Sequence, residues 1–323
     1  MNPEEPDVTT TAESTLSHHT PSSVDSGAAT ARRAAEIEAR LRADEARLLL
    51  PLDRELALLA ELQEFEFGRF LLHNEGLNGY WTSYVFQYEP GDPTANDLER
   101  WLLTKSLMPG IRERFHRFKA HIAPHVTDGA VLASVPCGLM DDLLQQDYTA
   151  VAPGSGLRLI GADIDAESVE SARARAAARG LADVCEFHVR DAWQLGLDGE
   201  VDLLTSNGLN MYEPDRARLV ELYRNFARAL RVGGRLLVSF IPAPPAPPWA
   251  EGGRSGDWDR YGIHADDLRQ DLAIFGDILQ AKYLNFTSEQ EIREQLAEAG
   301  LTVTGISYSD TGVLPVATAV RRH

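Results

Sequence analysis

Short apolar runs alternate with amphipathic stretches through the middle of this 323-residue chain. The apolar runs cover residues 130–136, 157–162, 185–190, 201–206 and 235–241, and stretches with helical spacing separate them at 139–144, 166–179 and 214–230. Strand-length runs that alternate with helices of period 3.6 are typical of a parallel sheet with helices on both faces. The pattern therefore predicts a three-layer α/β domain.

Polar residues and glycines follow the predicted strands, at the edge where parallel sheets bind ligands. They are Gly138, Asp163, Asp191 and Asn207, one after each of four strands, with Gly233 and Gly234 before the next strand. An acid at the position of Asp163 suits ribose hydroxyls, and a helix that starts near Leu139 would present free N–H groups to an anion. Either aspartate can also be explained as a helix N-cap. Taken together, the order of these glycines and polar residues along the chain favours an adenosine-bearing cofactor.

The segment Val131–Val238 resembles a class I S-adenosylmethionine (SAM) dependent methyltransferase domain. The motifs that carry this resemblance are the turn at Gly138, Ile160-Gly-Ala-Asp163, Arg190-Asp191-Ala192 and Leu230-Arg-Val-Gly-Gly-Arg-Leu-Leu-Val238. The tail also fits, with a helix over 288–300, for which Ser288 and Glu291 form a capping box, and strands over 301–307 and 316–321. The resemblance implies a Rossmann-like three-layer sandwich with a mostly parallel seven-stranded sheet and an antiparallel last strand.

The resemblance also implies how the cofactor is held. Asp163 binds the ribose, Asp191 and the Ala192 backbone bind the adenine, and the Gly138 turn binds the methionyl part. The full set of cofactor contacts expected from this part of the chain is Ser134, Pro136, Gly138, Asp163, Ile164, Asp191, Ala192 and Asn207. No metal site is expected.

The first motif departs from the family pattern of an acid followed by three spaced glycines. Ser134 stands at the acid position, and Gly138 is the only one of the glycines present. Without the acid, the cofactor's ammonium loses a partner worth about 1.5–3 kcal/mol. Asp141 and Asp142 either replace it or are first-turn acids that the helix dipole favours. The G-x-G-x-x-G pattern of a dinucleotide-binding dehydrogenase is absent, which disfavours hydride transfer.

The remaining segments predict a tail, a lid and an insertion. Residues 1–30 are polar and are expected to be a disordered tail, and 31–127 a helical lid region with helices over 31–50 and 52–72. Residues 128–323 form the SAM-binding domain, in which the proline-rich segment 242–287 is a second cover. Tyr80 and Trp81 are expected to face the sulfonium cation. Asn207, Tyr80 and His264 are the candidate catalytic residues.

Charge and composition limit the classes of partner that the protein is expected to bind. The formal net charge of −18 disfavours nucleic acids and anionic membranes, so a small-molecule substrate is expected. The sequence allows two interpretations of four basic residues, a local basic patch or, as the favoured one, a solvated helix face: Arg112, Arg114, Arg117 and Lys119. The chain has two cysteines, no apolar run of transmembrane length and no signal-peptide pattern, which favours a cytoplasmic location. The first helix has an apolar stripe that could pair with a second subunit in a homodimer.

Three functions agree with these observations. The first is methyl transfer from SAM to a small molecule, as in biosynthesis, which yields S-adenosylhomocysteine. The second is a SAM-consuming enzyme that does not methylate: attack at the other sulfonium carbon, by an acceptor or by the cofactor's own amino group to give azetidine-2-carboxylate, releases methylthioadenosine. The unusual turn after Ser134 motivates this second function. The third is a SAM-binding module without activity.

Overall fold

A seven-stranded sheet forms the centre of the computed structural model, which describes residues 27–74, 76–281 and 285–323. The strands are β1 Val131–Ser134, β2 Arg158–Asp163, β3 Cys185–Val189, β4 Val201–Ser206, β5 Leu230–Ser239, β6 Leu301–Ser307 and β7 Val316–Arg321. Their order is β3-β2-β1-β4-β5-β7-β6, and β7 runs antiparallel to both of its neighbours while the other pairings are parallel. The predicted sheet with its antiparallel last strand is confirmed.

The described helices cover both faces of the sheet and also form a separate group at the N-terminus. They are α1 Gly27–Ala43, α2 Leu52–Leu62, α3 Glu66–His73, α4 Gly79–Gln87, α5 Asp97–Thr104, α6 Pro109–Ile122, α7 Asp141–Leu144, α8 Ala166–Ala178, α9 Arg216–Ala229, α10 Ala265–Leu272 and α11 Glu289–Glu298. Successive strand residues point to opposite faces, so Leu132 packs with α6, α7 and α8, while Ala133 packs with α9 and α11. The three-layer arrangement is therefore present.

The N-terminal helices have a core of their own, built mainly from α1 to α5. The apolar stripe of α1, which includes Ile37 and Leu41, is buried in this core within the chain itself. The predicted disordered tail is wrong for 27–30, which begin α1, and its first 26 residues lie outside the described residues. The predicted first helix also ends early, at Ala43, and a short 3₁₀ turn, Glu45–Arg47, follows it.

The helix predicted over 52–72 is instead two helices, α2 and α3. Phe65 adopts an extended backbone between them and buries its side chain in the N-terminal core. The turn brings Gly68 onto the end of α2, where a Cβ atom would lie 2.2 Å from the carbonyl oxygen of Leu62. The free energy gained by burial of the aromatic side chains therefore exceeds that of a continuous helix. Because glycine has no side chain, Gly68 can lie this close to the end of α2.

The described helical part of the insertion 242–287 packs against the N-terminal helices. Within it, α10 leads into a π-helical segment, Ala273–Ile278. Asp271 accepts a hydrogen bond from the Leu107 backbone N–H at 3.1 Å, and Asp267 accepts one from Trp101 Nε1 at 2.7 Å. Among the described residues, no helix has the length and apolarity that a membrane crossing requires.

An ion-pair group ties the amino ends of three strands together. Arg158 Nε lies 2.6 Å from Glu186 on β3, and its Nη1 lies 2.9 Å from Glu200, which directly precedes β4. These carboxylates raise the pKa of Arg158. The group lies at the end of the sheet opposite the carboxyl ends of the strands.

Candidate active site

A cavity of about 240 Å³ lies at the carboxyl ends of the parallel strands. Its floor consists of the segments that follow β1, β2, β3 and β4, and its roof consists of residues from α4 and α6. This is the crevice in which open α/β sheets bind ligands. The N-terminal helical region thus covers the ligand-binding edge of the sheet.

Most of the predicted cofactor contacts line this cavity. They are Ser134, Pro136, Gly138, Asp163, Ile164, Asp191, Ala192 and Asn207. Each of these residues lies at the carboxyl end of a strand or in the segment that follows it, and the parallel register brings those strand ends together. Their roles toward a cofactor stay predictions.

The structure does not bring Tyr80, Trp81 or His264 to the cavity wall. Trp81 is 4% exposed and stacks on Phe67, with ring centroids 5.0 Å apart, inside the N-terminal core. Tyr80 is 42% exposed and packs edge-on against Trp81. His264 is exposed in the position before α10.

Helix phase explains why other residues of α4 reach the cavity. Asn78 caps the helix by accepting a hydrogen bond from the Trp81 N–H at 2.9 Å. With this start, Gly79, Thr82 and Phe86 share the face that lines the cavity, three to four residues apart. Phe86 stacks on Phe115 of α6 at a centroid distance of 3.8 Å. These two phenylalanines supply the aromatic wall that the sequence assigned to Tyr80 and Trp81.

Asp163 connects the second strand to the turn after the first. Its Oδ2 accepts a hydrogen bond from the Gly138 N–H at 2.8 Å, and its Oδ1 accepts one from the Asp165 N–H at 3.0 Å. Burial raises the pKa of the Asp163 carboxyl, and the backbone donors oppose that rise. Each carboxylate oxygen has a further lone pair, so two ligand hydroxyls can still donate to it.

The turn at Gly138 is built differently from the expected helix start. Gly138 and Met140 both have positive φ, and α7 comprises only the four residues Asp141–Leu144. The helix therefore begins at Asp141 rather than near Leu139, and the Leu143 N–H in its first turn bonds to Asp142 Oδ1 at 2.9 Å. The two acids of this first turn, Asp141 and Asp142, both line the cavity.

Asp142 brings a carboxylate to Ser134, the residue at the position where the family has an acid. Its Oδ2 accepts hydrogen bonds from Ser134 Oγ at 3.0 Å and from Thr205 Oγ1 at 2.6 Å. The Asp142 side chain is buried and lines the cavity, and its burial raises the pKa of its carboxyl. The carboxylate missing from β1 is thus present at the same wall, supplied from α7.

Asp141 links the roof to the floor of the cavity. It accepts hydrogen bonds from Ser83 Oγ on α4 at 2.8 Å and from Arg175 Nη1 on α8 at 2.7 Å. Only 2% of the Asp141 side chain is exposed, so the Arg175 ion pair is largely shielded from solvent. Asp141 and Asp142, whose roles the sequence left open, therefore bind different groups.

At the other end of the cavity, Asp191 serves a local structural role as well. Its Oδ1 accepts a hydrogen bond from the Trp193 N–H at 3.0 Å and so caps a 3₁₀ turn. Arg218 lies over the Trp193 ring at 5.1 Å, and all three residues line the cavity. The N-cap interpretation of Asp191 is therefore correct, and it is compatible with a ligand contact.

Arg114 is a further wall residue that the sequence did not predict. The expected solvated basic face is wrong for this residue, which is 6% exposed and lines the cavity. The signal was its spacing, because Gly110, Arg114, Phe118 and Ile122 form a buried stripe at intervals of four residues along α6. Arg114 thus belongs to the apolar face of the helix.

Neither cysteine is suited to nucleophilic chemistry. Both are free, and Cys137 lies in the cavity wall. Burial raises the pKa of the Cys137 thiol well above its usual value and that of Cys185 to about 11. Among the described residues, no group of three or more His, Cys, Asp or Glu side chains is arranged to hold a metal ion.

Comparison with known proteins identifies the family. A profile described as a methyltransferase domain matches residues 146–234, a segment that begins after the atypical first turn. A solved structure described as a possible exported protein from Bordetella parapertussis is 34% identical, with a TM-score of 0.80, over 93% of this chain and 100% of that one. Residues 146–234 therefore match a methyltransferase domain, and the seven-stranded sheet with its antiparallel last strand agrees with that match. The resemblance stated from the motifs is confirmed, and SAM is the cofactor of this family.

More distant methyltransferase structures also match, at lower similarity. Magnesium protoporphyrin IX methyltransferase from Synechocystis PCC 6803, with bound SAH, is 16% identical over 75% of this chain and 94% of that one, with a TM-score of 0.49. Geranyl diphosphate C-methyltransferase from Streptomyces coelicolor is 17% identical over 72% and 84%, with a TM-score of 0.46. No curated protein matches the sequence.

Proposed function

We propose that this protein binds SAM in the cavity and transfers its methyl group to a small molecule. The observation that carries the proposal is the buried Asp163 carboxylate, held by the Gly138 and Asp165 N–H groups at the carboxyl end of β2. A carboxylate in this position suits two ribose hydroxyls, and both of its oxygens have lone pairs left to accept them. The protein would thus hold the nucleoside through Asp163.

The rest of the cavity fits the remaining parts of SAM. Ile164 is 48% exposed and lines the cavity near the Asp191–Trp193 turn, which gives an apolar surface and an acceptor for the adenine. Gly138 lacks a side chain where the methionyl part would pass. Asn207 has a buried Oδ1 without a donor among the described residues. An orphaned polar atom of this kind is costly unless a ligand completes it.

Asp142 supplies the negative charge for the methionyl ammonium in this proposal. Burial raises the pKa of the Asp142 carboxyl, and the hydroxyl donors of Thr205 and Ser134 oppose that rise and hold the carboxylate at the wall. A charge-assisted hydrogen bond is about twice as strong as a neutral one. The substitution of the family acid by Ser134 is therefore compensated.

When bound, SAM supplies a sulfonium whose methyl carbon is open to in-line displacement. The protein's own contribution is to align the acceptor and to exclude water. Phe86 and Phe115 present aromatic surface to the cavity, which favours a cation and excludes solvent. Asn207 is placed at the end of β4 to orient an acceptor.

The size of the cavity favours a second candidate function. Ligand pockets usually occupy about 300–1,000 Å³, and this one measures about 240 Å³. Little room remains for an acceptor beside a bound nucleoside. In the second candidate, the amino group of SAM attacks its own γ-carbon, the bond from that carbon to sulfur breaks, and a proton leaves with formation of azetidine-2-carboxylate and methylthioadenosine.

Product analysis separates the two candidates. Purified protein is incubated with SAM alone and then with a panel of small acceptors, and the nucleoside is identified by mass spectrometry. S-Adenosylhomocysteine formed only with an acceptor supports methyl transfer, and methylthioadenosine formed from SAM alone supports cyclisation. No turnover above an Asp163→Ala control, together with measurable SAM binding, would leave an inactive binding module.

We further propose a cytoplasmic location, which fractionation of the native host would test.

A further inference from the structure

A buried guanidinium lies in the cavity wall, and no carboxylate of the described residues forms an ion pair with it. Arg114 is 6% exposed, and its Nε has no hydrogen-bond acceptor among the described residues. Its Nη1 lies 3.8 Å from Met211 Sδ, and a thioether is a weak acceptor. The described part of the chain therefore offers the Arg114 guanidinium few hydrogen-bond acceptors.

Three other acidic groups of the cavity lining are already bound by other donors. Asp142 is bound by the Ser134 and Thr205 hydroxyls, Asp141 by Arg175, and Asp163 by backbone N–H groups. The neighbouring Tyr212 phenol is no anion either, because burial raises its pKa. Burial lowers the pKa of Arg114 to about 10, so its guanidinium stays protonated at neutral pH. A buried cation without a counterion is costly, which indicates that an anion completes this site.

The local backbone leaves space for this guanidinium beside the end of β4. Gly208 has a φ of +102°, and a Cβ atom there would stand 3.0 Å from Arg114 Nη1. Gly208 directly follows Asn207, whose orphaned Oδ1 belongs to the same wall. Arg114 and Asn207 thus define a polar patch, opposite in charge to the one that Asp142 and Ser134 define.

We propose that Arg114 binds the carboxylate of a ligand in the cavity. This inference rests on the proposed function and deepens it. The planar guanidinium presents parallel N–H donors that match the two oxygens of a carboxylate. That carboxylate belongs either to the methionyl part of SAM or to the acceptor. In both cases the cavity selects ligands that carry a carboxylate.

The cofactor arm of the test compares SAM with decarboxylated SAM by calorimetry. If the carboxylate is that of SAM, the wild type binds SAM about 10- to 100-fold more tightly than the decarboxylated compound, and an Arg114→Gln variant binds both alike. Arg112→Gln is the matched control, since Arg112 lies on the same helix outside the cavity lining and donates to the Leu103 carbonyl. The wild-type ratio requires no variant, so a folding defect in Arg114→Gln does not block the test.

The acceptor arm uses acetate as a carboxylate probe and acetamide as its neutral counterpart, with and without S-adenosylhomocysteine. If the carboxylate belongs to the acceptor, SAM and its decarboxylated form bind equally. Acetate then raises the melting temperature of the wild type and of Arg112→Gln but not that of Arg114→Gln. Acetamide raises none of the three. Equal binding of the two nucleosides together with no acetate effect overturns the proposal. Failure of the wild type to bind either nucleoside instead contradicts the proposed function, and the acetate arm alone then decides the role of Arg114.

Discussion

Gly79 and Gly138 meet so closely that a Cβ atom on Gly79 would stand 2.9 Å from the Cα atom of Gly138. The first turn of α4 therefore lies directly on the glycine turn after β1. Ser168 Oγ would be 2.8 Å from the same Cβ atom, but a hydroxyl can rotate away, whereas the backbone of Gly138 cannot. The absence of both side chains is what lets the roof reach the floor of the cavity.

Gly79→Ala should therefore displace the roof. Overpacking of a well-packed region costs about 1–3 kcal/mol, so we expect a lower melting temperature and weaker SAM binding. Gly276→Ala is the matched control, because Gly276 is exposed, is in a helical segment and has nothing near its would-be Cβ atom. Calorimetric titration with SAM measures the effect, and identical dissociation constants for both variants would contradict the tight contact.

Asp163→Asn should weaken SAM binding about 10- to 100-fold, because bonds to a charged acceptor contribute about 1.5–3 kcal/mol each. The amide oxygen can still accept the hydrogen bond from the Gly138 N–H, whereas the amide nitrogen cannot accept the one from the Asp165 N–H, so the melting temperature is measured alongside the affinity. Asp198→Asn, at an exposed position outside the cavity lining, is expected to bind like the wild type. If Asp163→Asn retains wild-type affinity, the ribose lies elsewhere.

Asp142→Asn should discriminate between two nucleosides. The variant keeps the shape of the side chain and an acceptor for Ser134 Oγ, but it removes the charge proposed to face the ammonium. We expect SAM binding to weaken about 10-fold or more, whereas methylthioadenosine, which has no amino acid part, should bind as it does to the wild type. An equal loss for both nucleosides would indicate general damage to the cavity rather than loss of an ammonium partner.

Asp271 should make the stability of the protein depend on pH. Burial raises the pKa of its carboxyl in the folded state to about 7, well above the value near 4 of an unfolded chain. The folded state therefore holds the proton more tightly, and the stability that this provides is complete below about pH 4 and is lost as the pH rises to about 7. Asp271→Asn should raise the melting temperature at pH 8, where the wild-type carboxyl is ionised.

The same substitution should have little effect at pH 4, where the buried carboxyl of the wild type is already neutral. The amide oxygen of Asn can accept the hydrogen bond from the Leu107 N–H that Asp271 accepts now. Asp266→Asn, at an exposed position on α10, is the control and should not change the pH profile. Parallel pH profiles for the wild type and Asp271→Asn would contradict this account.

Much of the fold follows from local signals in the sequence. The bounds of β4, β6 and β7 agree with the prediction, because alternating or continuous apolar runs end there at clear turn residues. The capping box of α11 is present, with Ser288 and Glu291 bonded reciprocally. The cavity position also followed, since parallel strands bring their carboxyl ends to one edge whatever their flanking helices do.

The roof of the cavity could not be predicted in the same way. Whether Trp81 or Phe86 faces the cavity depends on the phase of α4, which is fixed by its start at Asn78 and by the partners on which it packs. Arg114 was misassigned because a charged residue on an apolar stripe is ordinarily expected in solvent. The packing of Trp81 on α3 is a tertiary contact that local periodicity does not show, whereas the spacing of α6 already placed Arg114 on its buried stripe.

The Arg158 ion pairs have a practical consequence for anyone who wishes to alter this protein. They lie at the amino end of the sheet, whereas Asp163, at the far end of the same strand, belongs to the cavity. The two margins of β2 therefore carry separate sets of contacts, the ion pairs of Arg158 at one and the cavity wall with Asp163 at the other. Substitutions that reinforce one margin should leave the other free to be redesigned for new chemistry.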